Sequence, residues 1–238
     1  MSRSVFITGG NRGIGLAVAK AFAADGDRVA VTHRGEGRPE GLPEALLGIR
    51  ADVAVPGEVE HALKQAETAH GPVEVVVANA GITRDGPMLR MSDEAFDEVI
   101  RTNLTGTFVT VRAAVRSMLA ERRGRVVLLS SALGFLGSPG QTNYAASKTG
   151  LLGLARSLVW EIGDRGITVN VVAPGIIDTG MTAALSARRM EELMRMTPLG
   201  RPGSVDEVVA AVRFLAGESA GYITGAVLPV SGGIGMGM

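Results

Sequence analysis

Tyr144 and Lys148 stand four residues apart in the run Asn143-Tyr144-Ala145-Ala146-Ser147-Lys148. On a helix that spacing stacks the two side chains on one face. A free phenol, with a pKa near ~10, is a poor proton donor or acceptor at neutral pH. A lysine ammonium beside it favours the phenolate and draws the pKa toward the working range. The pair therefore amounts to a general acid with a tuning cation attached. Tyr and Lys at this spacing are also common on solvated helix faces, so the rest of the chain has to decide.

The second chemical feature is Thr8-Gly9-Gly10-Asn11-Arg12-Gly13-Ile14-Gly15, which follows an apolar strand pattern and opens a helical one. Its glycines permit a tight turn and bring a helix N-terminus up to a pyrophosphate. The spacing is Gly-x-x-x-Gly-x-Gly rather than Gly-x-Gly-x-x-Gly, and a glycine-rich turn without ligand is the plain alternative. Where the second strand ends, an Asp or Glu would accept from a ribose 2′-hydroxyl. This chain has Thr32-His33-Arg34 there, and Arg12 can approach the same place. Two guanidinium groups suit a 2′-phosphate, so the expected cofactor is NADPH, with Glu36 close enough to complicate the choice.

Short apolar runs at 4–8, 28–32, 48–51, 73–78, 125–130, 168–172 and 226–230 alternate with helical patterns at 14–24, 58–69, 92–120, 143–162 and 204–216. The strands are continuously apolar, as in a parallel sheet covered on both faces. The expected fold is α/β, a single doubly wound parallel sheet of Rossmann type with helices on both faces. One domain covers 1–238, and ligands bind at the carboxyl ends of the strands. Between 33 and 47, Gly35, Gly37, Pro39, Gly41 and Pro43 predict a shortened or absent crossover helix. The segment 178–201 follows a strand end and reads as a substrate lid, or else as an ordinary surface helix pair.

Composition narrows the function. The 238 residues carry 24 basic and 24 acidic side chains, which argues against nucleic acid or a membrane surface as the main partner. The absence of cysteine excludes disulfides and thiol nucleophiles, and the three histidines offer no metal-ligand spacing. No apolar run approaches ~18 residues and no secretory segment precedes the first strand, so the expected location is cytoplasmic.

Taken together, Thr-Gly-x-x-x-Gly-x-Gly at 8–15, Asp52, Asn79-Ala80-Gly81, Asn103, Ser131, Tyr144-x-x-x-Lys148 and Pro174-Gly175 with Thr179 resemble the short-chain dehydrogenase/reductase family, in the family's order and over essentially the whole chain. Val-Thr-His-Arg-Gly, the short 33–47 segment and the Gly-Met-Gly-Met ending are similar to the 3-oxoacyl-acyl-carrier-protein reductase branch, close to the form serving mycolic-acid elongation. The resemblance implies cofactor contacts at Gly9, Asn11, Arg12, Gly13, Ile14, Gly15, Arg34, Asp52, Val53, Asn79, Ala80, Gly81, Pro174, Gly175, Ile177 and Thr179, with Tyr144 and Lys148 on the ribose side. For Asp52 a helix cap and for Asn79-Ala80-Gly81 a turn are the alternatives.

The implied reaction is NADPH-dependent reduction of a 3-oxoacyl thioester, with the hydride chemistry carried by the cofactor. Tyr144 donates the proton, Lys148 tunes it, and Ser131 holds the carbonyl oxygen. Spacing alone leaves Ser130 and Ser131 as alternatives; the family pattern, with serine thirteen residues before tyrosine, selects Ser131. Asn103 is implied to distort its helix and to hold a water that joins Lys148 to solvent.

The implied partner is an acidic acyl carrier protein, with Arg122 and Arg165 as contacts, although charge runs are most often simply solvated. A homodimer or homotetramer through the fourth and fifth helices is also implied. Small residues such as Gly150 and Gly153 would pack equally well internally. Ser231, where Asp-Gly-Gly is commoner, leaves the bonding of that last turn open. Two other readings stand beside this one. One is a reductase of another ketone, such as a polyketide, acetoacetyl-CoA or a xenobiotic carbonyl. The other is a non-catalytic NADP-sensing protein, which should have an eroded Tyr or Lys.

Overall fold

In a computed structural model that describes residues 2–180, 182 and 186–236, seven strands form one all-parallel sheet. They are β1 (Ser4–Ile7), β2 (Arg28–His33), β3 (Leu46–Arg50), β4 (Val75–Ala78), β5 (Gly124–Leu129), β6 (Ile167–Pro174) and β7 (Val227–Val230), in the order β3-β2-β1-β4-β5-β6-β7. The chain winds outward from β1 in one direction and from β4 in the other, so a crevice opens between these two strands at their carboxyl ends. The doubly wound α/β fold is the one the sequence implies.

The continuous apolar runs have a direct cause. In β1, Val5 and Ile7 point to one face and Phe6 to the other; in β4, Val75 and Val77 oppose Val76 and Ala78. Both faces are buried, so both sets must be apolar. Helices α1 (Gly13–Ala24) and α8 (Val205–Leu215) cover the face of Val5 and Val75. Helices α2 (Pro56–His70), α4 (Gly106–Glu121) and α6 (Thr142–Ile162) cover the face of Phe6 and Val76.

As expected from its glycines and prolines, the β2–β3 connection holds no helix. Arg38 ties it together instead, donating from Nη2 to the carbonyls of Leu42, Pro43 and Leu46. Leu42 is buried against Gly48, where a Cβ would come within 2.8 Å of its Cδ2. Strand β3 accordingly starts two residues before the sequence reading placed it.

The single helix expected over 92–120 is two helices, α3 (Asp93–Ile100) and α4, joined by a π-helical turn at Arg101–Thr105. The turn lies at Asn103, where the resemblance implies a distortion of the helix. One short helix escaped the sequence reading, α5 (Ala132–Leu136), and α7 (Ala187–Arg195) falls within 178–201, where surface helices are the alternative reading. Of the expected lid, residues 181 and 183–185 lie outside the described residues, and α7 accounts for much of the rest. Among the described residues no helix is long and apolar enough to cross a membrane.

Candidate active site

A cavity of about 520 Å³ opens at the carboxyl ends of the strands, across the point where strand order reverses. Its floor is the glycine turn after β1. Gly9 (φ +64°) and Gly13 (φ +54°) take backbone conformations that L side chains rarely adopt. Gly15 is required for closeness: a Cβ there would stand 2.5 Å from both Asn79 Nδ2 and the Gly9 carbonyl. Asn79 Nδ2 donates to the carbonyls of Thr8 (2.9 Å) and Gly9 (3.1 Å). Thr8 Oγ1 accepts from the Asn79 and Ala80 amides, each at 3.1 Å. Thr32 Oγ1 accepts from the Gly9 amide at 3.2 Å. The ends of β1, β2 and β4 are thus laced into one rigid cradle.

Helix α1 starts at Gly13 without a side-chain cap, since its N-cap residue Arg12 makes no such bond. Its first amides therefore face the cavity with the positive end of the helix dipole behind them. Such a cradle fits a dinucleotide pyrophosphate. Arg12 and Arg34 line the β1–β2 end of the same cavity. Glu36 turns to Arg50, with 3.9 Å between charged atoms. Asp52 closes its own turn by accepting from the Ala54 amide at 2.9 Å, and it lines the cavity with Val53.

The far end holds the chemistry. Ser131 lies just past β5 as the N-cap of α5, in extended conformation and with no capping bond, and it lines the cavity. Ser130 is spent elsewhere: its Oγ donates to the Lys148 carbonyl at 2.8 Å and fastens α6 to β5. Both serines line the cavity, but Ser130 is turned to α6 whereas Ser131 is within hydrogen-bond reach of Tyr144. Gly134 lets α5 lie on α6, because a Cβ there would meet Lys148 Cβ at 2.8 Å.

Lys148 is 5% exposed, and its Nζ donates to the Leu129 carbonyl at 2.7 Å and lies 5.8 Å from the Tyr144 ring centre. Burial pushes its pKa down to about 8. Tyr144 corrects the sequence reading. Burial raises its pKa first; the Ser131 hydroxyl, through a hydrogen bond, acts in the lowering direction, and the Asp85 charge raises it again. Desolvation of the phenolate sets the direction of the shift. Tyr144 is therefore held as a phenol, the form that can donate.

Of the candidate site residues, all but Asn103 line this one cavity: Gly9, Asn11 to Gly15, Arg34, Asp52, Val53, Asn79, Ala80, Gly81, Ser131, Tyr144, Lys148, Pro174, Gly175, Ile177 and Thr179. Asn103 lies one layer behind, fully buried in the π-turn. Its Oδ1 accepts from the Ile82 amide at 2.8 Å, and its Nδ2 donates to the Ile82 carbonyl (3.0 Å) and to Ser147 Oγ (3.1 Å). A Cβ on Gly81 would lie 3.2 Å from Asn103 Oδ1 and 3.3 Å from Lys148 Nζ, so both groups close on the same small space.

Sequence reasoning missed the positioning roles of Thr32, Ser147 and Thr182. Ser147 Oγ donates to the Tyr144 carbonyl at 2.7 Å, and Thr182 Oγ1 accepts from the Thr179 amide at 2.9 Å. The signal was available for Ser147, a hydroxyl inside the Tyr-to-Lys run. The turn at Ser231 is closed by its own hydroxyl, which donates to the Ile234 carbonyl at 2.8 Å.

Arg122 and Arg165 come together elsewhere. Arg122 donates to the Asp164 carbonyl at 3.1 Å, and Arg165 Nε lies 3.3 Å from the Asp164 carboxylate. They precede β5 and β6, at the end of the sheet opposite the cavity. The rest of the basic run is partly neutralised: Arg123 pairs with Glu74 and Glu218, and Arg125 with Glu218.

A strand–glycine turn–helix cradle leading to Ser131, Tyr144 and Lys148 on one cavity defines a nicotinamide-dependent oxidoreductase, and the chain belongs to the short-chain dehydrogenase/reductase family. The sequence model described as Enoyl-(Acyl carrier protein) reductase matches residues 9–235. The chain is 51% identical over 237 residues to the 3-oxoacyl-[acyl-carrier-protein] reductase MabA of Mycobacterium avium, covering 100% of this chain and 91% of the relative. It is 49% identical to MabA of Mycobacterium tuberculosis, covering 100% and 94%. It is 42% identical to the reductase FabG of Escherichia coli, covering 97% and 96%.

Proposed function

We propose that the chain reduces 3-oxoacyl thioesters carried on acyl carrier protein to 3-hydroxyacyl thioesters, with NADPH, in fatty-acid synthesis. The observation that carries this proposal is Ser131 within hydrogen-bond reach of Tyr144, with Lys148 behind it, on a cavity large enough for a dinucleotide. Full-length identity to 3-oxoacyl-acyl-carrier-protein reductases supports the substrate class.

NADPH, when bound, supplies the hydride; the chain does the rest. Gly9 to Gly15 and the first turn of α1 would hold the pyrophosphate, Asp52 and Val53 would face the adenine, and Arg12 and Arg34 would bond the 2′-phosphate. Asn79, Ala80, Gly81, Pro174, Gly175, Ile177 and Thr179 flank the rest of the cofactor. Ser131 donates to the substrate carbonyl oxygen and stabilises its developing charge. The Tyr144 hydroxyl delivers its proton to that oxygen. Lys148 stabilises the phenolate left behind. Asn103 belongs to the path that returns a proton from solvent to Lys148, a role supported by their shared space beside Gly81.

Arg34→Ala is expected to raise the KM for NADPH at least about tenfold, the scale of one lost charge-assisted contact, and to leave the KM for NADH nearly unchanged. Parallel titrations of the two cofactors check this. Equal loss for both would remove Arg34 from the 2′-phosphate.

Arg122 and Arg165 are proposed as contacts for the acidic carrier. Their place at the far end of the sheet means that a carrier held there serves the cavity of a neighbouring subunit. Exposed Phe108 on α4 and Trp160 on α6 support a homodimer through these helices, and Phe214 on α8 and Tyr222 before β7 support a homotetramer. The cytoplasm is the compartment this function requires. Incubation with a 3-oxoacyl thioester should consume thioester and NADPH in equal amounts and yield the 3-hydroxyacyl thioester. Absence of that product would refute the assignment.

A further inference from the structure

Helix α6 begins without a side-chain cap: its N-cap residue Gln141 makes no capping bond. Tyr144 follows three residues later, so whatever fixes this turn fixes the phenol. The turn at 137–141 contains Gly137 (φ +75°) and Gly140 (φ +81°) and closes on itself through the Gln141 amide to the Ser138 carbonyl at 3.0 Å. Its other anchors come from two directions.

On one side, the Gly86 amide donates to the Gly140 carbonyl (2.8 Å), Gln141 Nε2 to the Asp85 carboxylate (2.9 Å) and Asn143 Nδ2 to the Arg84 carbonyl (3.0 Å). On the other side stands α7. Arg189 Nη2 donates to Ser138 Oγ at 2.8 Å, while Nη1 lies 3.2 Å from the Glu192 carboxylate one turn along. The Arg189 side chain is only 31% exposed, and a charged donor makes this a strong kind of hydrogen bond. Helix α7 is itself seated by buried Leu193 and capped by Ser186, whose Oγ accepts from the Arg189 amide at 3.2 Å. It follows Thr179 and Thr182, both of which line the cavity.

We propose that Arg189 is a positioning residue: its bond to Ser138 latches α7 to the 137–141 turn, so that the seating of α7 fixes the placement of Tyr144. This rests on the proposed function for its kinetic consequence, but not for the latch itself. The alternative is an ordinary surface bond with no consequence beyond local stability.

The test is a double-mutant cycle on the full chain with Arg189→Ala, Ser138→Ala, the pair, and Arg189→Lys, reading kcat and KM for a 3-oxoacyl thioester, NADPH binding by fluorescence, and hydrogen exchange at amides 138–148 and 187–195. Each single variant should lower kcat/KM about tenfold, and the double variant should be no worse, because both remove one contact. NADPH affinity should not move, Arg189→Lys should recover part of the loss, and both segments should exchange faster in either single variant. Multiplicative losses, loss in only one single variant, or unchanged exchange in both segments would overturn the latch. If Arg189→Ala fails to fold, Ser138→Ala and the exchange of 187–195 still decide it. A wild-type protein that reduces no thioester would refute the proposed function while the exchange comparison still tests the latch.

Discussion

Tyr144→Phe is expected to lower kcat by about 10³-fold, within the range that a positioned proton donor supplies, while NADPH binds as tightly as before. The substitution removes one oxygen from a partly buried ring and leaves its packing in place. It does not touch the glycine turn, Asn79 or the arginines that flank the β1–β2 end of the cavity. Burial keeps the phenol protonated, so the proton is present at neutral pH and its loss removes the acid outright. Single-turnover oxidation of bound NADPH reads the chemical step directly. A variant retaining a tenth or more of the rate would remove Tyr144 from the proton transfer.

Lys148→Met should separate activity from stability. The rate should fall at least about 10²-fold, because nothing then stabilises the phenolate formed as the proton leaves. Stability should rise. Burial lowers the Lys148 pKa from 10.5 to about 8, which at neutral pH corresponds to roughly 3 kcal/mol against the folded state. Loss of the bond to the Leu129 carbonyl offsets about 1 kcal/mol of that, leaving a gain of about 1–2 kcal/mol.

The sign follows from the proton count. Below pH 8 both folded and unfolded chains hold this proton, and the full cost of the buried charge is present. Between about 8 and 10.5 the unfolded chain holds more protons, so the wild-type contribution from this group becomes more favourable as pH rises. The advantage of Lys148→Met should therefore shrink across that window. Urea unfolding at pH 7 and pH 10 checks it; an equal or growing advantage at pH 10 would contradict the buried-ammonium account. An active site that holds a desolvated charge carries a standing cost for its chemistry.

Much of this was legible in the sequence because it depends on local pattern. Strands buried on both faces must read as continuous apolar runs, and the missing crossover helix followed from five Gly and Pro positions between 33 and 47. The cradle was legible because only particular residue types permit it. What stayed hidden depends on packing between distant segments. The direction of the Tyr144 shift is set by desolvation, which no spacing reports. The engagement of Ser130 depends on the Lys148 carbonyl, eighteen residues away. The resemblance implied a distortion at Asn103, where the π-turn lies; the apolar pattern over 92–120 did not by itself report the split. The likeness of Arg122 and Arg165 to carrier contacts carried no information about the end of the sheet on which they lie.

The most direct measurement of the central claim is the initial rate of NADPH oxidation with 3-oxoacyl thioesters of acyl carrier protein, set beside NADH, free ketones and 2-enoyl thioesters. Rapid NADPH-dependent reduction of the 3-oxoacyl thioesters, with slow turnover of free ketones and none of the 2-enoyl thioesters, is the predicted result. Reduction of the enoyl double bond, or inactivity on every 3-oxoacyl thioester while NADPH still binds, would contradict it.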